Sequence, residues 1–547
     1  MISLLDYGAG NVRSLRNAIN HLGFELVDIE RPDDILTAER LIFPGVGAFG
    51  AAMDRLNRLN YVEPLRDYLA AGRPFLGICI GLQTLFEGSE ESPEISGLGV
   101  IPGLVERFPA GTLSVPHMGW NGVRTVRDAP LLRGMESDKF YFVHSYRVRH
   151  NDKNADWVLA ETDYGSPFVS AVQRGFVMAV QFHPEKSGPR GLEVLRRFLS
   201  GDAFAPSDRS ATKVSAGIAA SIAPPQHHNP TRLAKRVIAC LDVRSNDNGD
   251  LVVTKGDQYD VREAGEVRNL GKPVDLARRY YQEGADEITF LNITAFRDFP
   301  LADQPMLEVL RRTSENVFVP LTIGGGIRAF TDADGRTYSA LDVASEYFRS
   351  GADKISIGSD AVHTVERLRE RGVRDGSTAI EQIAELYGNQ AVVISVDPRR
   401  VYVSSPEDTE RQVIETEIPG PNGERWCWFQ CTVKGGREGR DVDAVELARV
   451  CESLGAGEIL LNSIDRDGTG VGFDLELIAA VRAAVSIPVI ASSGAGSPEH
   501  FSDVFVSTGV EAALAAGIFH RREVPIEGVK ARLQAGGIEI REVVGEG

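Results

Sequence analysis

The sequence contains little cysteine and no long apolar run. Its 5 cysteines in 547 residues are too few, and odd in number, for a disulfide framework, and such usage is typical of a reducing compartment. No window of about 18 uncharged apolar residues occurs, so we expect no membrane-spanning helix. The first residues, MISLLDYGAGNVRSL, lack the pattern of a signal or transit peptide. We therefore expect a cytoplasmic protein.

Positive charge and clustered metal ligands are also scarce. The chain has 59 Lys and Arg residues against 77 Asp and Glu residues, and its net charge of -18 repels nucleic acid and anionic membranes. Cys427 and Cys431 in WCWFQC have no second cysteine or histidine cluster that would complete a zinc set, and His227 and His228 lie in a stretch with linker composition. We expect no metal, no cofactor, no nucleic acid and no membrane partner, which leaves small molecules.

The length predicts roughly two to four domains. The segment GDAFAPSDRSATKVSAGIAASIAPPQHHNPTR is rich in Ala, Ser and Pro and has no sustained polar–apolar period. We place a first domain at residues 1–200, a linker at 201–231 and a second domain at 232–547.

The two halves differ in pattern. In the first half, ERLIFPG, GRPFLGICIG and GFVMAVQFHPEKS are apolar strands that end in turns and alternate with helical patterns, which predicts a parallel α/β sheet. The second half repeats itself in order: VIACLDV matches VVISVDP, GADEITFLNIT matches GAGEILLNSID, VPLTIGGGI matches IPVIASSGA, and GADKISIGS matches GVEAALAAG. Four βα units repeated twice predict a (β/α)8 barrel, with FTDADGRTYSALD and residues 399–440 as loop insertions.

A cysteine in the first half has the sequence context of a nucleophile. GICIG places Cys79 between two glycines, after a strand and before a helix, a tight turn that exposes the side chain. A buried thiol packed between strand and helix is the alternative. In QFHPEKS, His183 and Glu185 alternate in an extended segment and face the same side, so Glu185 can orient His183 and His183 can deprotonate Cys79. The glycine-rich FPGVGAFG can turn backbone N–H groups toward an oxyanion, or it is an ordinary strand-to-helix turn.

The second half has two aspartates at equivalent repeat positions. Asp242 ends the first barrel strand and Asp397 ends the fifth, on the rim where barrels of this type carry their sites, and paired carboxylates suit acid–base chemistry. A carboxylate there also caps turns. The exits IGGGI, SIGSD, ASSGAG and AAGIF let backbone amides approach phosphates, one cluster in each half. The pattern predicts an elongated bisphosphate across the two aspartates.

Several motifs of the first half resemble a known family. DYGAGN, PGVGAFG, GICIGLQTLFEGSEE, PHMGWN, YFVHSY and QFHPEKS are similar to class I glutamine amidotransferases over residues 1 to about 200, in particular to the glutaminase half of imidazole glycerol phosphate synthases. The resemblance implies a flavodoxin-like sheet, a thioester on Cys79, and His183 as base and then acid. It also implies a glutamine contact at Gln83 and an oxyanion strand at Gly45 and Val46. We interpret His117 and His144, in similar segments, as structural or interface residues.

The second half is similar to the cyclase of the same family. LAKRVIACLDV, GADEITFLNITAFRD, TIGGGI, GADKISIGSDAV, LLNSIDRDGTGVGFD and ASSGAG carry the likeness, and one chain with both halves resembles the fused synthases of eukaryotes. The implied reaction converts PRFAR, a bisphosphate, and ammonia to imidazole glycerol phosphate and AICAR in histidine biosynthesis, with Asp242 and Asp397 as the acid–base pair.

The resemblance also assigns phosphate contacts. One phosphate would bind Gly326, Gly358 and Ser359, and the other Asp467, Gly468, Gly494, Ala516 and Gly517. Gly358 stands where bacterial forms often have asparagine, and Ser493 and Gly517 stand where glycine and serine are commoner. Lys255 resembles a loop lysine that closes over substrate, or is a solvated lysine.

The resemblance further implies that ammonia passes along the barrel axis. Arg236, Glu287, Lys354 and Glu458 match a charged ring at the barrel floor, and such buried charges must be paired. A salt-bridged floor is thus both the structural and the functional reading. Lys186 and Asp353 are candidate partners across the interface, and a single chain with both activities implies a monomer.

Three other interpretations stay open from the residues. A sugar-phosphate isomerase barrel shares the half-barrel repeat and two phosphate sites, but gives no reason for a glutaminase partner. A barrel that makes pyridoxal phosphate needs a Schiff-base lysine where this chain has aspartates. A ligand-sensing scaffold without catalysis predicts a broken triad, whereas Cys79, His183 and Glu185 form a complete set.

Overall fold

We analysed a computed structural model, which describes residues 2–8, 10–109, 111, 113–204, 231–245, 251–254, 262–263, 266–267, 272–293, 301 and 304–543. Lys255 and most of the predicted linker, with His227 and His228, lie outside the described residues. Within those ranges no helix combines the length and the apolar character needed to cross a membrane. All five cysteines are described, and each is a free, buried thiol.

The first half is an α/β unit whose elements run from residue 2 to residue 200. Its strands are β1 (Ile2–Leu4), β2 (Leu26–Asp28), β3 (Arg40–Phe43), β4 (Phe75–Ile78), β5 (Gly88–Ser89), β6 (Leu104–Arg107), β7 (His117–Gly122), β8 (Arg124–Thr125), β9 (Lys139–His144), β10 (Tyr146–Val148), β11 (Val158–Tyr164), β12 (Ser166–Arg174) and β13 (Val177–Val180). Its helices are α1 (Val12–His21), α2 (Pro32–Thr37), α3 (Phe49–Arg58), α4 (Val62–Ala70), α5 (Ile80–Gln83) and α6 (Gly188–Ser200).

The main sheet of this half is mixed rather than wholly parallel. Eight strands follow the order β2-β1-β3-β4-β13-β12-β11-β8, parallel from β2 to β13 and antiparallel from β13 to β8. The apolar strands β4 (FLGI) and β13 (VMAV) are buried throughout, as expected for parallel strands covered on both faces. Cys79 follows β4, and His183 follows β13. Because β4 and β13 are neighbours and parallel, both residues lie at the same sheet edge.

Among its described residues, the second half contains seventeen strands and ten α-helices. The strands are β14 (Arg236–Ser245), β15 (Leu251–Thr254), β16 (Arg262–Glu263), β17 (Glu266–Val267), β18 (Glu287–Asn292), β19 (Leu321–Gly324), β20 (Phe330–Thr331), β21 (Thr337–Tyr338), β22 (Lys354–Ile357), β23 (Val392–Val396), β24 (Pro398–Val403), β25 (Ile414–Glu415), β26 (Trp426–Val433), β27 (Glu438–Asp443), β28 (Glu458–Asn462), β29 (Val489–Ser492) and β30 (Ala512–Ala515). The helices are α7 (Pro273–Gln282), α8 (Pro305–Thr313), α9 (Ala340–Arg349), α10 (Ser359–Arg371), α11 (Ala379–Tyr387), α12 (Ala444–Ser453), α13 (Leu475–Ala484), α14 (Pro498–Thr508), α15 (Gly517–His520) and α16 (Ile526–Ala535).

Eight of these strands close into the predicted parallel barrel. Their order is β14-β18-β19-β22-β23-β28-β29-β30, and β30 pairs with β14 to complete the ring. The first and fifth strands, β14 and β23, therefore stand on opposite sides of the barrel. The carboxyl ends of all eight strands meet at one rim, where the two predicted aspartates and the described phosphate-binding residues lie.

The two predicted insertions form small sheets outside the barrel. FTDADGRTYSALD contains the pair β20–β21, and residues 399–440 contain most of a four-stranded sheet built on β24, β25, β26 and β27. Strand β24 follows Asp397 directly, so this second sheet grows from the end of the fifth barrel strand. The hairpin between β26 and β27 reaches the barrel mouth.

Candidate functional site

Cys79 lies on a strained turn between β4 and α5. Its φ of 52° is a left-handed value that residues with a side chain rarely adopt, so the turn is held by its surroundings. A Cβ on Gly81 would overlap the carbonyl oxygen of Phe43, and a Cβ on Gly77 would lie 2.6 Å from the carbonyl oxygen of Gly81. Both flanking glycines are thus required by close packing, as the sequence pattern predicts. The buried thiol accepts a hydrogen bond from Gln181 Nε2 at 3.4 Å.

His183 and Glu185 lie beside this thiol. His183 Nδ1 is 2.8 Å from Glu185 Oε1, and both side chains are buried. Burial alone would lower the pKa of His183, but the charges of Glu185 and Cys79, with their hydrogen bonds to the ring, raise it well above its usual value. With Nδ1 bonded to Glu185, the other ring nitrogen is left for Cys79. The three side chains therefore have the arrangement of nucleophile, base and orienting carboxylate.

Glu185→Gln is expected to slow the glutamine hydrolysis that the resemblance implies by about 10²- to 10⁴-fold, because the amide no longer stabilises a charged imidazole. The pKa of His183 falls in this variant, so the imidazolium loses its proton at a lower pH. The alkaline limb of the pH–rate profile therefore shifts to lower pH. The measurement is steady-state glutamate release across pH. Glu193→Gln, which changes a surface carboxylate paired with Arg196, serves as the matched control. An unchanged rate and profile for Glu185→Gln would contradict the triad.

The predicted oxyanion strand packs against the elbow. A Cβ on Gly45 would overlap Ile80 and lie 2.8 Å from the Gly81 nitrogen, and a Cβ on Gly10 would lie 2.5 Å from the Val46 Cβ. The same loop reaches the second half, since a Cβ on Gly47 would lie 3.1 Å from the carbonyl oxygen of Leu386 in α11. The loop therefore lies between the thiol and the barrel.

Two glutamines complete the surroundings of the thiol. Gln83 Nε2 donates to Gln181 Oε1 and to the carbonyl oxygen of Tyr146, each at 3.2 Å, and Gln181 in turn donates to Cys79. Sequence reasoning named Gln83 but missed Gln181. The alternation that pairs His183 with Glu185 extends back to Gln181, so the same argument could have found it.

His117 and His144 form a buried chain of hydrogen bonds. His117 Nδ1 is 3.1 Å from His144 Nε2, His117 Nε2 is 3.1 Å from Asn121 Nδ2, and His144 Nδ1 is 2.7 Å from the carbonyl oxygen of Tyr146. Burial lowers the pKa of His117 well below its usual value and that of His144 to about 3. Both rings are neutral, which supports the structural interpretation of this pair.

The barrel mouth is a cavity of about 960 Å³ that Asp242 and Asp397 both line. Asp397 Oδ1 accepts hydrogen bonds from Asn462 Nδ2 at 2.8 Å and from Ser395 Oγ at 3.3 Å. Burial raises the pKa of Asp397; those hydrogen bonds oppose the shift, and the charge of Asp467 adds to it. Sequence reasoning missed Asn462 and Ser395.

The predicted phosphate-binding residues lie around the same cavity. Eight of them line it: Gly326, Gly358, Ser359, Asp467, Gly468, Gly494, Ala516 and Gly517. The ninth, Lys255, lies outside the described residues. Ser493 has a φ of 74°, so its backbone adopts the left-handed form that glycine would take more easily. The β26–β27 hairpin tip, 434–437, also lines the mouth, and the N–H of Lys434 donates to Ser359 Oγ at 3.3 Å.

The four predicted floor residues form one fully buried ion network. Arg236 contacts Glu287 at 2.8 Å and also pairs with Glu458, and Lys354 is 2.6 Å from each of the two carboxylates. Their side chains are at most 1% exposed. Each cation thus contacts both carboxylates, so none of the four buried charges lacks an opposite charge, which would be energetically costly.

The first half covers this floor. Lys354 Nζ lies 3.7 Å from Met118 Sδ, and a Cβ on Gly119 would lie 3.1 Å from Leu233 and 3.6 Å from Arg236. Lys186 pairs with Asp353 at 2.7 Å, as proposed from the sequence, and Asn11, which the sequence did not indicate, donates to the same carboxylate at 2.8 Å.

A second part of the contact involves the carboxyl-terminal segment. Trp120 Nε1 donates to the carbonyl oxygen of Asp286 at 3.0 Å, and the guanidinium of Arg541 lies 4.3 Å from the centre of the Trp120 ring. Arg541 and Lys530 both contact Asp286 Oδ1, at 2.7 and 2.6 Å. The carboxyl-terminal segment at Arg541 therefore forms part of the interface between the two halves.

Comparisons with known proteins match a family model to each half of the chain. The family model "Glutamine amidotransferase class-I" matches residues 3–201, and the model "Histidine biosynthesis protein" matches residues 236–525. The chloroplastic imidazole glycerol phosphate synthase hisHF of Arabidopsis thaliana is 60% identical over 99% of this chain and 89% of its own. The hisHF synthase of Schizosaccharomyces pombe is 54% identical over 99% of this chain and 100% of its own, and the HisF subunit of Haloarcula marismortui is 42% identical over 56% of this chain and 99% of its own.

Proposed function

The chain belongs to the family of fused imidazole glycerol phosphate synthases, and from that membership we propose how its residues divide one reaction between two sites. It is a bifunctional glutamine amidotransferase and cyclase of histidine biosynthesis. The first half hydrolyses glutamine to glutamate and ammonia. The second half uses the ammonia to convert PRFAR to imidazole glycerol phosphate and AICAR, which also feeds purine synthesis. We propose residues 1–200, 201–231 and 232–547 as glutaminase, linker and cyclase.

In the glutaminase half, Cys79 attacks the carboxamide carbon of glutamine. The carbon–nitrogen bond breaks, His183 donates the proton that the leaving ammonia needs, and a thioester forms. Water, deprotonated by His183, then releases glutamate. Backbone N–H groups of the loop at Gly45 and Val46 are the proposed oxyanion donors. Gln83 is the proposed glutamine contact, which is supported by its hydrogen bond to Gln181, the residue that donates to the Cys79 thiol.

In the cyclase half, Asp242 and Asp397 move the protons for imine formation, ring closure and C–N cleavage. The proposal is supported by their positions on opposite strands of one cavity. Burial raises the pKa of Asp397 and so favours its protonated form. The loops at Gly326, Gly358 and Ser359, and at Asp467, Gly468, Gly494, Ala516 and Gly517, hold the two phosphates. Lys255 stays a prediction.

We propose the barrel axis as the route of ammonia. Tyr141 supports this because it lies between the glutaminase site and the barrel floor. Its carbonyl oxygen accepts the backbone N–H of His183, and burial together with the charge of Glu287 at the floor raises the pKa of its hydroxyl. Free ammonia released into water would be protonated. Opening of the ion network formed by Arg236, Glu287, Lys354 and Glu458 would connect the glutaminase with the mouth.

Glu458→Gln is expected to weaken both the fold and the transfer. Arg236 and Lys354 then share a single carboxylate in a buried site, which costs about 3–5 kcal/mol and lowers the thermal midpoint. Glutamine-dependent turnover should fall more than ammonium-dependent turnover, since ammonium salt reaches the mouth from solution. Glu308→Gln, an exposed carboxylate paired with Arg312, is the control. Equal loss with both nitrogen sources would contradict a role in transfer.

One observation carries the proposal: a cysteine–histidine–glutamate set in one half is joined, across a buried ion network, to a cavity with two opposed aspartates in the other. The test is PRFAR consumption by the purified chain, first with glutamine and then with ammonium, followed through AICAR formation. Turnover with both sources is expected. No turnover with either, together with isomerisation of an aminoaldose phosphate, would instead favour the isomerase interpretation.

We also propose that the chain acts as a monomer in a reducing compartment such as the cytoplasm. Both halves on one chain and five free thiols support this. The Arabidopsis relative carries the description chloroplastic. Size-exclusion chromatography with light scattering tests the monomer, and a dimer at micromolar concentration would overturn it.

A further inference from the structure

A guanidinium group lies over one of the small-residue loops at the barrel mouth. Arg521 lines the same cavity as Asp242 and Asp397. A Cβ built on Gly517 would lie 2.8 Å from Arg521 Nη1, so the arginine occupies the space that a side chain at position 517 would fill. Gly517 has no positive φ that would demand glycine for its backbone. The guanidinium of Arg521 therefore lies directly over Gly517, in space that a side chain there would share.

The spacing of the two residues places this group over the loop. Arg521 follows α15 and stands four residues after Gly517, and its backbone N–H donates to the Gly517 carbonyl oxygen at 3.0 Å. Residues four apart in helical geometry lie on one face, one turn above the other. The long side chain of Arg521 can therefore extend back over Gly517, one helical turn earlier.

The hydrogen bonds of Arg521 leave one nitrogen directed at the loop. Nε and Nη2 bind the two carboxylate oxygens of Glu523 at 2.6 and 2.8 Å. Among the described residues, Nη1 has no hydrogen-bond acceptor, and it lies 2.8 Å from the Cβ built on Gly517. Since guanidinium carries five donors in a planar fork, Glu523 can fix the plane while Nη1 donates elsewhere.

The barrel repeat gives an independent observation. Strands β22 and β30 are equivalent, so Gly358 corresponds to Ala516, Ser359 to Gly517 and His363 to Arg521. His363 also lines the cavity, and it too is braced by a nearby carboxylate, with Nδ1 3.1 Å from Glu366 Oε2. Each half of the barrel thus places a nitrogen-bearing side chain, bonded to an acidic neighbour, one helical turn beyond its small-residue loop.

We propose that Arg521 is a substrate-binding residue that donates from Nη1 to the phosphate held at Gly494, Ala516 and Gly517. This inference rests on the proposed function, because the phosphate belongs to the bisphosphate substrate. Arginine forms strong, oriented hydrogen bonds to phosphate oxygens, and the bond to Glu523 restricts the guanidinium in advance. At Gly517 the backbone provides room and Arg521 provides the charge.

The test is the affinity of the full-length chain for PRFAR without any nitrogen source, so that no turnover occurs. Isothermal titration at fixed ionic strength, in buffer free of phosphate and sulfate, compares the wild type with Arg521→Gln and Arg521→Lys. The glutamine variant is expected to bind about tenfold to a hundredfold more weakly. The lysine variant keeps the charge without the fork and should lose less.

Two further variants separate binding from folding. Arg522→Gln changes the next arginine, which is exposed and does not line the cavity, and should bind PRFAR like the wild type. Gly517→Ser combined with Arg521→Gln should recover part of the lost affinity, because the serine hydroxyl gains the space and can donate to the phosphate. Basal glutamine hydrolysis should stay unchanged in Arg522→Gln, and the thermal midpoint should stay unchanged in all four variants.

The outcomes distinguish this inference from the proposed function. Wild-type affinity in Arg521→Gln would overturn the role of Arg521 while leaving the synthase activity intact. A rise in the KM for PRFAR with kcat nearly kept supports binding, whereas a fall in kcat alone would count against it. Absence of PRFAR binding in the wild type would instead overturn the proposed function, and this inference with it.

Discussion

Cys79→Ala is expected to abolish turnover with glutamine, by at least about 10³-fold, while turnover with ammonium salt is kept. The thiol is the atom that forms the covalent intermediate, and no neighbouring group in the described site can replace it. The cyclase aspartates lie in the other half of the chain and receive ammonia from solution. The measurement is AICAR formation from PRFAR with glutamine and, separately, with ammonium chloride at alkaline pH.

The matched control for this variant is Cys451→Ala. Cys451 is also a buried free thiol, but it lies on helix α12 of the barrel, far from the triad in sequence and fold. It should keep both activities. If Cys79→Ala loses the two activities together, while its thermal midpoint matches that of the wild type, the proposed separation of the sites is wrong.

Asp397→Asn and Asp242→Asn are each expected to stop cyclisation with either nitrogen source. Loss of a group that transfers protons at the reacting atoms costs about 10²- to 10⁴-fold. Glutamine hydrolysis without PRFAR should remain, because the triad is untouched. Asp441→Asn, at a carboxylate 79% exposed that pairs with Arg411, is the control. Full cyclase activity in either variant would remove that aspartate from the pair.

The stability of Asp397→Asn provides a second readout. The pKa of Asp397 is raised by burial, so the folded protein binds more protons at this group than the unfolded chain does. Stability therefore falls as pH rises from the usual carboxyl pKa through the raised one. Asparagine removes this cost and can still accept from Asn462. We expect a midpoint at neutral pH equal to or above that of the wild type, and a marked decrease would contradict the assigned environment.

The barrel was predictable because its signal is repeated. Each short apolar strand has a partner of the same type at the same place in the other half, and β14, β18, β19 and β22 recur as β23, β28, β29 and β30. The mixed character of the first sheet was not predicted. Its antiparallel part depends on the hairpin between β11 and β12, which turns at Gly165, and on pairings that strand composition alone does not specify.

The chemistry of the sites was more predictable than their surroundings. Cys79, His183 and Glu185 lie in short motifs whose spacing reflects local backbone geometry, so the sequence carries the signal. The contact of Arg541 with Trp120 joins positions that are far apart in the chain, and no local pattern encodes it. The same holds for Asn11 and Asp353, which meet only when the two halves dock.

The order of strands around the barrel has a consequence for synthesis on the ribosome. The first barrel strand, β14, is flanked by β30, which is made last, so the ring stays open until the carboxyl-terminal part of the chain has emerged. All strands of the amidotransferase sheet precede residue 181, so this sheet can form during translation. The glutaminase half can therefore fold on the nascent chain before the barrel closes. Until then, the face that docks on the barrel is exposed to solvent.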